Sequence, residues 1–427
     1  MLEIKLVRDN PDLVKENLRK RGMLEKIPEV DRLLEFDTMW RKLLQETEAL
    51  RRKRNEITQQ IAKARSKKQD TSILLREAEQ IPEQIKKIEG DVDQIKEKVN
   101  AILLSLPNLV DASVPFGKDD NDNVEIKRWG EPPKFGFKPL DHIDLGTKQE
   151  LIDMERAAKV AGARFYYLRG DLVRLNHALI RYGLDFIKKK NYELYQPPYL
   201  LRRDVVAGAV ALSDFEEVIY KVEGEDLYLL ATSEHALLGL HMDEIIPAEK
   251  LPLRYAGVSP NFRKEAGAHG RDTKGIFRVH QFEKVEQFIF SRPEDSWKLH
   301  EGLLANVEEF FQSLKIPYRV VNVCTGDLGT VASKKYDLEA WLPGQGKYRE
   351  MASCSNCTSY QSVRSRIRYR EKTSDPTKYP HTLNSTLVAT ERAIVAILEN
   401  YQKEDGTIDV PKILQPYMNG QEQIPTN

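Results

Sequence analysis

The chain has few cysteines, no long apolar segment and no excess of charge of one sign. Its 427 residues include three cysteines, a number that suits a reducing compartment without structural disulfides. No uninterrupted apolar run approaches the roughly 18 residues that a membrane-spanning helix needs, and the first residues, MLEIKLVRDN, show no signal-peptide pattern. These absences predict a cytoplasmic protein without a membrane partner.

The formal net charge is zero, because 66 lysine and arginine residues balance 66 aspartate and glutamate residues. A nucleic-acid partner would therefore have to bind a local basic patch and not the surface as a whole. At 427 residues the chain is long enough to bury a sizeable core and to form two or three domains.

Residues in the N-terminal quarter recur at alternating spacings of three and four, which is the spacing of a coiled coil. Two such series, separated by the polar segment 66–72, predict an antiparallel helical hairpin that ends near residue 106. Pro82 is expected either to kink the second arm or to mark its start. The first series is Leu33, Phe36, Trp40, Leu43, Thr47, Leu50, Arg54, Ile57 and Ile61, and the second is Ala78, Ile81, Ile85, Ile88, Val92, Ile95, Val99 and Ile102.

The first arm of this hairpin is basic. Within residues 41–68, ten basic residues stand against three acidic ones, an excess of seven positive charges. A coiled-coil arm often serves dimerisation or acts as a spacer, whereas a basic projection on a neutral protein is suited to binding phosphates. The second interpretation makes Arg51, Arg52, Lys53 and Arg54 candidate contacts to nucleic acid.

Two β-like runs surround a long polar insert in the segment NFRKEAGAHGRDTKGIFRVHQFEKVE. The insert exceeds the roughly two to five residues of most hairpin loops, which indicates a functional loop. Because alternate residues share a face of a strand, Arg263 and Glu265 should share a face of the first strand. Arg278, Phe282 and Glu286 should share a face of the second. Such a face could bind a nucleoside triphosphate and an amino acid, or it could be an exposed, ion-paired sheet.

Other segments, taken by themselves, predict ordinary structural elements. Leu227–Ala231 is a candidate buried strand, and the Thr232-Ser233-Glu234 segment after it is typical of a capped helix start. Residues 382–400 begin like a strand and continue as an apolar helix. Residues 111–146 contain several prolines and glycines with little periodicity, which predicts a linker.

The motif wording resembles one enzyme family. Phe262-Arg-Lys-Glu and the later run Gly275-Ile-Phe-Arg-Val-His-Gln-Phe resemble motif 2 of class II aminoacyl-tRNA synthetases, and in particular of the seryl enzymes of archaeal or eukaryotic cytosolic type. Arg349–Cys357 and residues 382–400 are similar to the family's Glu-x-x-Ser segment and to its motif 3. Residues 171–199 resemble motif 1, which forms the dimer interface in the family. The resemblance covers almost the whole chain.

The resemblance implies an α+β fold in two domains. Residues 1–110 would form a tRNA-binding antiparallel coiled coil, and residues 111–427 a class II catalytic domain built on an antiparallel β-sheet flanked by helices. The implied reaction is the ATP-dependent ligation of L-serine to tRNA(Ser) through a seryl-adenylate, with tRNA(Sec) as an open second acceptor. The implied partners are ATP with Mg²⁺, L-serine, tRNA(Ser) and a second copy of the chain bound through the catalytic domain.

The resemblance also implies roles for individual residues. The implied catalytic residues are Arg263, Arg392 and Glu350. The implied ATP-binding residues are Arg263, Lys264, Glu265, Arg278, Val279, Phe282, Glu350, Met351, Ala352, Ser353 and Arg392. The implied serine-binding residues are Thr232, Ser233, Glu234, Arg263, Glu286, Asn384 and Thr386. Mg²⁺ would be held through ATP by Glu350 and Ser353, and tRNA by Arg51, Arg52, Lys53, Arg54, Arg271 and Lys274.

Contacts to the nucleotide follow from the same resemblance. Arg263 is expected to bind the α-phosphate, and Arg278 is expected to reach the terminal phosphates. Glu265 is expected to accept a hydrogen bond from the adenine amino group. Phe282 and Arg392 are expected to lie on opposite faces of the adenine ring, beneath the closing motif 2 loop.

The cysteines are too few for a structural zinc site, and one segment departs from the family pattern. Cys354 and Cys357 form a Cys-x-x-Cys pair, but Cys324 is the one cysteine that remains, and a structural zinc site needs four ligands. No zinc is therefore expected. The family commonly has alanine and arginine where this chain has Ser362 and Val363, so the family's role for position 363 is not carried over.

Three other functions fit parts of the sequence. A threonyl or prolyl synthetase would share the motif arginines but would lack the N-terminal hairpin. A non-catalytic tRNA-binding paralogue would be expected to lose Arg263, Glu350 or Arg392, and all three are present. A coiled-coil scaffold would leave the C-terminal three quarters of the chain without a purpose.

Overall fold

The computed structural model describes residues 1–210, 218–265 and 275–425. The chain divides into two compact units, of which the first extends from Leu2 to Pro107 and the second begins at Asn108. Within the described ranges, no helix combines the length and the apolar composition that crossing a bilayer would require.

The first unit is helical and is dominated by a long hairpin. Its helices are α1 (Ile4–Asp9), α2 (Pro11–Lys20), α3 (Ile27–Ser66) and α4 (Ser72–Ser105), with a 3₁₀ turn at Leu24–Lys26. The predicted hairpin is confirmed: the apolar residues of both series are buried or half-buried, and Ile57, Ile81 and Ile85 form one cluster. Arg54 is exposed, because burying an unpaired guanidinium is costly. Pro82 lies inside α4 and does not mark its start.

The second unit is built on an eight-stranded sheet. Its strands are β1 (Val124–Trp129), β2 (Glu193–Tyr195), β3 (Leu253–Phe262), β4 (Gln281–Ser291), β5 (Tyr318–Asn322), β6 (Lys334–Leu342), β7 (Lys347–Asn356) and β8 (His381–Ala389). The spatial order is β1-β5-β6-β7-β8-β4-β3-β2, and every pair is antiparallel except β2 with β3. The predicted α+β class with an antiparallel sheet is therefore confirmed.

Helices flank this sheet and bury their apolar stripes against it. Among the described residues they are α5 (His142–Lys148), α6 (Met154–Ala161), α7 (Asp171–Lys188), α8 (Arg203–Ala209), α9 (Ser233–Gly239), α10 (Ser296–Ser313), α11 (Tyr360–Arg364) and α12 (Thr390–Asn400). Leu179 of α7, Phe310 of α10 and Ile397 of α12 belong to one buried core. Burial of this kind contributes about 25 cal/mol for each Å² of apolar surface.

Smaller elements complete the second unit. Two-stranded ladders pair Ile152–Asp153 with Tyr167–Leu168, Leu200–Arg202 with Leu227–Leu229, Ile245–Pro247 with Arg368–Arg370, and Ile408–Asp409 with Gln423–Ile424. Short 3₁₀ turns lie at Asp120–Asp122, Ala248–Lys250, Pro293–Asp295 and Gln415–Met418.

The segment predicted as a linker, residues 111–146, contributes to the sheet, so this prediction was wrong. Residues Val124–Trp129 form its edge strand β1, and the Trp129 ring stacks on Tyr318 at a centroid distance of 5.7 Å. The strand shows no alternation in burial, since all but its last residue are exposed. The sequence alternates apolar and polar residues from Val124 to Lys127, but Val124 and Ile126 are both exposed, so this alternation marks no buried face. Helix α5 follows, capped by the Asp141 carboxylate.

The predicted hairpin around the motif 2 insert is confirmed, with shorter strands than the sequence suggested. β3 and β4 pair in antiparallel register from Leu253 opposite Phe290 to Phe262 opposite Gln281. Arg263 and Glu265 follow the end of β3, and Arg278 precedes β4, so the predicted placement of these residues on strand faces was wrong. The insert itself, residues 266–274, lies outside the described residues.

Candidate active site

A pocket of about 740 Å³ opens where β4, β7 and β8 meet the start of α12. It brings together most of the predicted site residues, although they come from distant parts of the chain. The predicted residues that line it are Thr232, Glu234, Arg263, Glu265, Arg278, Val279, Phe282, Glu286, Glu350, Met351, Ser353, Asn384, Thr386 and Arg392.

Strand geometry explains how these side chains converge. Phe282, Lys284 and Glu286 alternate along β4 and therefore share the face that lines the pocket. On β7, Glu350 and Ser353 have opposite parity and would normally point to opposite faces. A β-bulge between them shifts the register against β6, and a bulge of this kind re-aims side chains. Both residues consequently line the pocket.

One end of the pocket presents a carboxylate held by neutral groups. The Thr232 side chain caps α9 by accepting a hydrogen bond from the Glu234 backbone N–H at 3.4 Å, as predicted. Oε1 of Glu234 accepts hydrogen bonds from Gln361 Nε2 at 2.6 Å and from Asn384 Nδ2 at 3.2 Å. Burial, followed by the charge of Glu286, raises the pKa of Glu234 to about 7. An ammonium group would supply the positive charge that these amides lack.

A second carboxylate in the same end already has a cation. Lys284 Nζ lies 2.6 Å from Glu286 Oε2 and donates a hydrogen bond to Thr232 Oγ1 at 2.9 Å. Thr386 Oγ1 donates to the same Glu286 oxygen at 3.3 Å. Burial lowers the pKa of Lys284, and the Glu286 charge opposes that shift. Lys284 thus neutralises the charge of the Glu286 carboxylate, which also accepts a hydrogen bond from the Thr386 hydroxyl.

The other end of the pocket is rich in guanidinium groups. Arg392 Nη1 lies 3.1 Å from Glu350 Oε1 and donates to the Glu350 backbone oxygen at 3.0 Å. Burial alone would raise the pKa of Glu350, but the Arg392 charge lowers it to about 2. Arg278 Nη1 lies 3.1 Å from Glu265 Oε2, and Glu265 adopts a left-handed backbone with φ of 49°. Arg263 stands between the two ends, and burial lowers its pKa while the Glu265 charge raises it.

Aromatic rings and guanidinium groups stack beside these ion pairs. The Arg263 guanidinium lies over the Phe282 ring at 5.2 Å from its centroid. Arg392 and Arg349 lie over Phe277 at 5.0 Å and 4.2 Å. The expectation that Phe282 and Arg392 enclose an adenine ring stays a prediction. Phe277 is an additional ring that lines the pocket.

The donor set at Glu350 and Ser353 fits Mg²⁺. A carboxylate and a hydroxyl oxygen suit this hard cation when phosphate oxygens and water complete its shell. Within the described ranges, no group of three or more histidine, cysteine, aspartate or glutamate residues is arranged to hold a metal ion. The cysteines are buried free thiols, and burial raises the pKa of both Cys354 and Cys357.

Three predicted residues do not line the pocket. Ser233 is fully buried and donates its hydroxyl to the Gly257 carbonyl oxygen at 3.3 Å. Ala352 faces the opposite side of β7 and belongs to the core. Lys264 donates its backbone N–H to the Val218 oxygen at 2.9 Å. Ser233 and Ala352 could therefore contact a ligand only through backbone atoms.

Two further predicted residues, Arg271 and Lys274, lie outside the described residues. The sequence analysis in turn missed Lys284, Gln361 and Glu391. Lys284 could have been found, because it shares the strand parity of Phe282 and Glu286. No local pattern signals Gln361, which reaches the pocket from a separate helix.

Glu391 is a buried carboxylate at the start of α12. It accepts hydrogen bonds from the Glu283 backbone N–H at 3.1 and 3.0 Å and from the Tyr166 hydroxyl. Burial raises its pKa to about 7. Because Glu391 and Glu283 are the chain neighbours of Arg392 and Phe282, these bonds fix the spacing between two pocket residues.

The candidate nucleic-acid interface lies on the helical hairpin of the first unit. Arg51 Nη2 is 2.7 Å from Glu89 Oε1, and Lys53 Nζ is 2.5 Å from Glu77 Oε1. The side chains of Arg51 and Lys53 are 55% and 53% exposed. Exposed ion pairs are worth little, so phosphates could replace these carboxylates at small cost.

Comparisons with known proteins cover the whole chain. Residues 1–110 match the family model for the seryl-tRNA synthetase N-terminal domain, and residues 218–401 match the model for the tRNA synthetase class II core domain (G, H, P, S and T). A serine–tRNA ligase of Nitrosopumilus maritimus is 52% identical over 99% of this chain and 100% of its own length. The serine–tRNA ligase of Pyrococcus horikoshii is also 52% identical, over 100% and 98%.

Solved structures agree with this similarity. The crystal structure of seryl-tRNA synthetase from Pyrococcus horikoshii complexed with ATP matches with a TM-score of 0.94 at 52% identity, covering 100% of both chains. The cytoplasmic serine–tRNA ligase of Naegleria fowleri in complex with AMP matches with a TM-score of 0.88 at 37% identity, covering 99% of this chain and 98% of its own. The family resemblance is thereby confirmed, and the chain belongs to the seryl-tRNA synthetase family.

Proposed function

We propose that this protein ligates L-serine to tRNA(Ser), with ATP as the energy source and a seryl-adenylate as the intermediate. One observation carries the proposal: a single pocket holds the Glu234 carboxylate, with its neutral partners, and the guanidinium groups of Arg263 and Arg392. An ammonium group and a polyphosphate would each find opposite charge there. Relatives named serine–tRNA ligase that are 52% identical over nearly the full length support the same reaction.

The first step needs no side-chain nucleophile. The serine carboxylate attacks the α-phosphorus of ATP, which forms the seryl-adenylate and releases pyrophosphate. The protein's task is to position the reactants and to stabilise the charge that develops at phosphorus. We call the end of the pocket that holds Glu234 and Glu286 the serine end. Arg263 is assigned to the α-phosphate, because it stands between the serine end and the guanidinium-rich end and presents a rigid fork of donors. Arg278 is assigned to the terminal phosphates.

The remaining nucleotide contacts follow the same layout. Glu265 is assigned to the adenine amino group, and Phe282 and Arg392 to the faces of the ring, where stacking and cation–π attraction favour an aromatic base. Glu350 and Ser353 would hold Mg²⁺ together with ATP oxygens. When bound, Mg²⁺ neutralises phosphate charge.

In the second step a hydroxyl of the terminal ribose of tRNA attacks the adenylate's carbonyl carbon, and AMP leaves. We assign residues 1–110 to tRNA binding, with Arg51, Arg52, Lys53 and Arg54 as phosphate contacts. Arg271 and Lys274 of the motif 2 loop are assigned to the same substrate. Aminoacylation assays with tRNA(Sec) in place of tRNA(Ser) test the second acceptor.

We further propose a cytoplasmic homodimer that forms through the motif 1 region. This region exposes apolar side chains, since Val173 and Leu194 are 40% and 38% exposed. Exposed apolar groups that lie together favour association. Light scattering should give twice the 49.2 kDa chain mass, and a mass of one chain at micromolar concentration would contradict the dimer.

Serine-dependent exchange of labelled pyrophosphate into ATP tests the central proposal. Purified protein should catalyse exchange with L-serine far above exchange with L-threonine, L-alanine or L-proline. Exchange that depends on another amino acid would assign a different substrate. Binding of tRNA(Ser) with no exchange for any amino acid would favour the non-catalytic paralogue.

A further inference from the structure

Lys284 has no part in the reaction as proposed above, yet it occupies the centre of the serine end. Its ammonium lies 2.6 Å from Glu286 and 2.9 Å from the Thr232 hydroxyl, and the side chain is 7% exposed. Lys284 therefore donates to an oxygen atom of each of two residues that are assigned to serine binding, Thr232 and Glu286. Moving a lysine ammonium group from water into a buried site costs free energy. We therefore expect Lys284 to have a function at this position.

The charges at this end of the pocket can be counted. Glu234 and Glu286 supply two carboxylates, and Lys284 supplies one ammonium. Glu286 forms an ion pair with Lys284. Glu234 instead accepts hydrogen bonds from the side-chain amides of Gln361 and Asn384. Arg263 also acts electrostatically on both carboxylates, but it is assigned to the α-phosphate. Glu234 is therefore the carboxylate left to pair with a ligand's ammonium group.

We propose that Lys284 determines specificity by neutralising Glu286, so that this carboxylate accepts a hydrogen bond from the serine hydroxyl instead of binding a second cation. This inference rests on the proposed function. It predicts that the pocket accepts an amino acid with one ammonium group and a neutral hydroxyl. It also predicts rejection of the close analogue L-2,3-diaminopropionate in the form with two ammonium groups, in which a β-ammonium replaces the hydroxyl.

The physical reason is the cost of a surplus charge in a buried site. With Lys284 present, a β-ammonium beside Glu286 would face another ammonium within the same small space, and like charges in low dielectric repel strongly. Without Lys284, Glu286 would be an unpaired buried carboxylate, which attracts a cation. The lysine thus converts an ammonium site into a hydroxyl site.

The test substitutes Lys284→Met, which keeps an unbranched side chain and removes its charge. Dissociation constants for L-serine and L-2,3-diaminopropionate are measured by calorimetry between pH 5.5 and 7.5. An NMR titration of the free diamine over the same range gives the fraction that carries both ammonium groups. The ratio of the two constants is used, because both ligands carry the same α-ammonium group. The ratio should shift at least tenfold toward the diamine at pH 5.5, which corresponds to about 1.4 kcal/mol.

Two controls separate specificity from folding. Lys159→Met makes the same replacement at an exposed lysine of α6 that does not line the pocket, and it should leave the ratio at its wild-type value. If Lys284→Met does not fold, the double variant Lys284→Met/Glu286→Gln removes both buried charges. Its ratio should show no preference for the form with a β-ammonium, because no carboxylate remains there to attract it. The wild-type protein gives a third readout, since its affinity for the diamine relative to serine should rise as the diamine loses one of its two ammonium charges.

An unchanged ratio of the two dissociation constants in folded Lys284→Met would overturn the inference. If the substitution weakened the binding of both ligands equally, Lys284 would be binding the carboxylate that they share. A wild-type affinity for the diamine that falls relative to serine with rising pH would also overturn it. Neither result touches the proposed function, which stands or fails on serine-dependent pyrophosphate exchange by the wild-type protein.

Discussion

Serine affinity is expected to increase as the pH rises through about 7, because Glu234 must be ionised to bind the α-ammonium group. Burial and the nearby Glu286 charge raise the pKa of Glu234 to about 7. A carboxyl group with a raised pKa is protonated and neutral below that pH, and ionised above it. Serine binding below pH 7 should therefore release a proton from Glu234.

The size of the effect follows from the ionised fraction. With a pKa of about 7, roughly half of the Glu234 side chains are ionised at pH 7 and about one in ten at pH 6. An apparent dissociation constant equals the intrinsic constant divided by the competent fraction. The apparent dissociation constant for serine should thus be about tenfold larger at pH 6 than well above pH 7. His235 does not interfere, since burial lowers its pKa to about 3 and it stays neutral.

Calorimetry of serine binding in two buffers with different ionisation enthalpies measures both the affinity and the number of protons released. Close to one proton should be released at pH 6 and much less at pH 7.5. Glu234→Gln is the matched control, because its amide oxygen can still accept the hydrogen bonds from Gln361 and Asn384. It should bind serine weakly and with little dependence on pH. A constant affinity between pH 5.5 and 7.5 without proton release would refute the reasoning.

Three further outcomes are expected. Arg263→Lys should reduce kcat/KM for pyrophosphate exchange by several powers of ten, at about 1.4 kcal/mol each, and a loss below tenfold in steady-state kinetics would remove Arg263 from the α-phosphate. Replacing Arg51 and Lys53 with glutamate should raise the KM for tRNA(Ser) and weaken its salt dependence, whereas an unchanged KM would place the interface elsewhere. Gly275→Ala should lower the melting temperature, because a Cβ there would lie 2.1 Å from His142 Nε2 at a backbone φ of 78°; an unchanged melting curve would show that the backbone relaxes freely.

The N-terminal hairpin and the motif hairpin could be predicted from local patterns. Apolar spacing located both long helices, and the polar segment 66–72 located the turn between α3 and α4. Helix capping likewise identified Thr232 at the start of α9. These features are encoded within a few turns of chain, so a periodic or capping signal is enough to reveal them.

The details of the pocket could not be predicted in the same way, because they depend on contacts between distant segments. The bulge between Glu350 and Ser353 on β7 is visible only in the pairing with β6. The edge strand β1 has no buried face, and its short Val-Glu-Ile-Lys alternation stands in a segment whose prolines and glycines favoured a linker. Gln361 reaches Glu234 across 127 positions of sequence. Parity arguments also failed at Arg278, since β4 begins after it.

A crystal structure with a non-hydrolysable seryl-adenylate analogue tests the central claim most directly. The account predicts the Arg263 guanidinium within about 3 Å of the group that replaces the α-phosphate, Arg392 against the adenine ring, and the α-ammonium at Glu234. An analogue bound in this pocket with both guanidinium groups turned away from it would contradict the account.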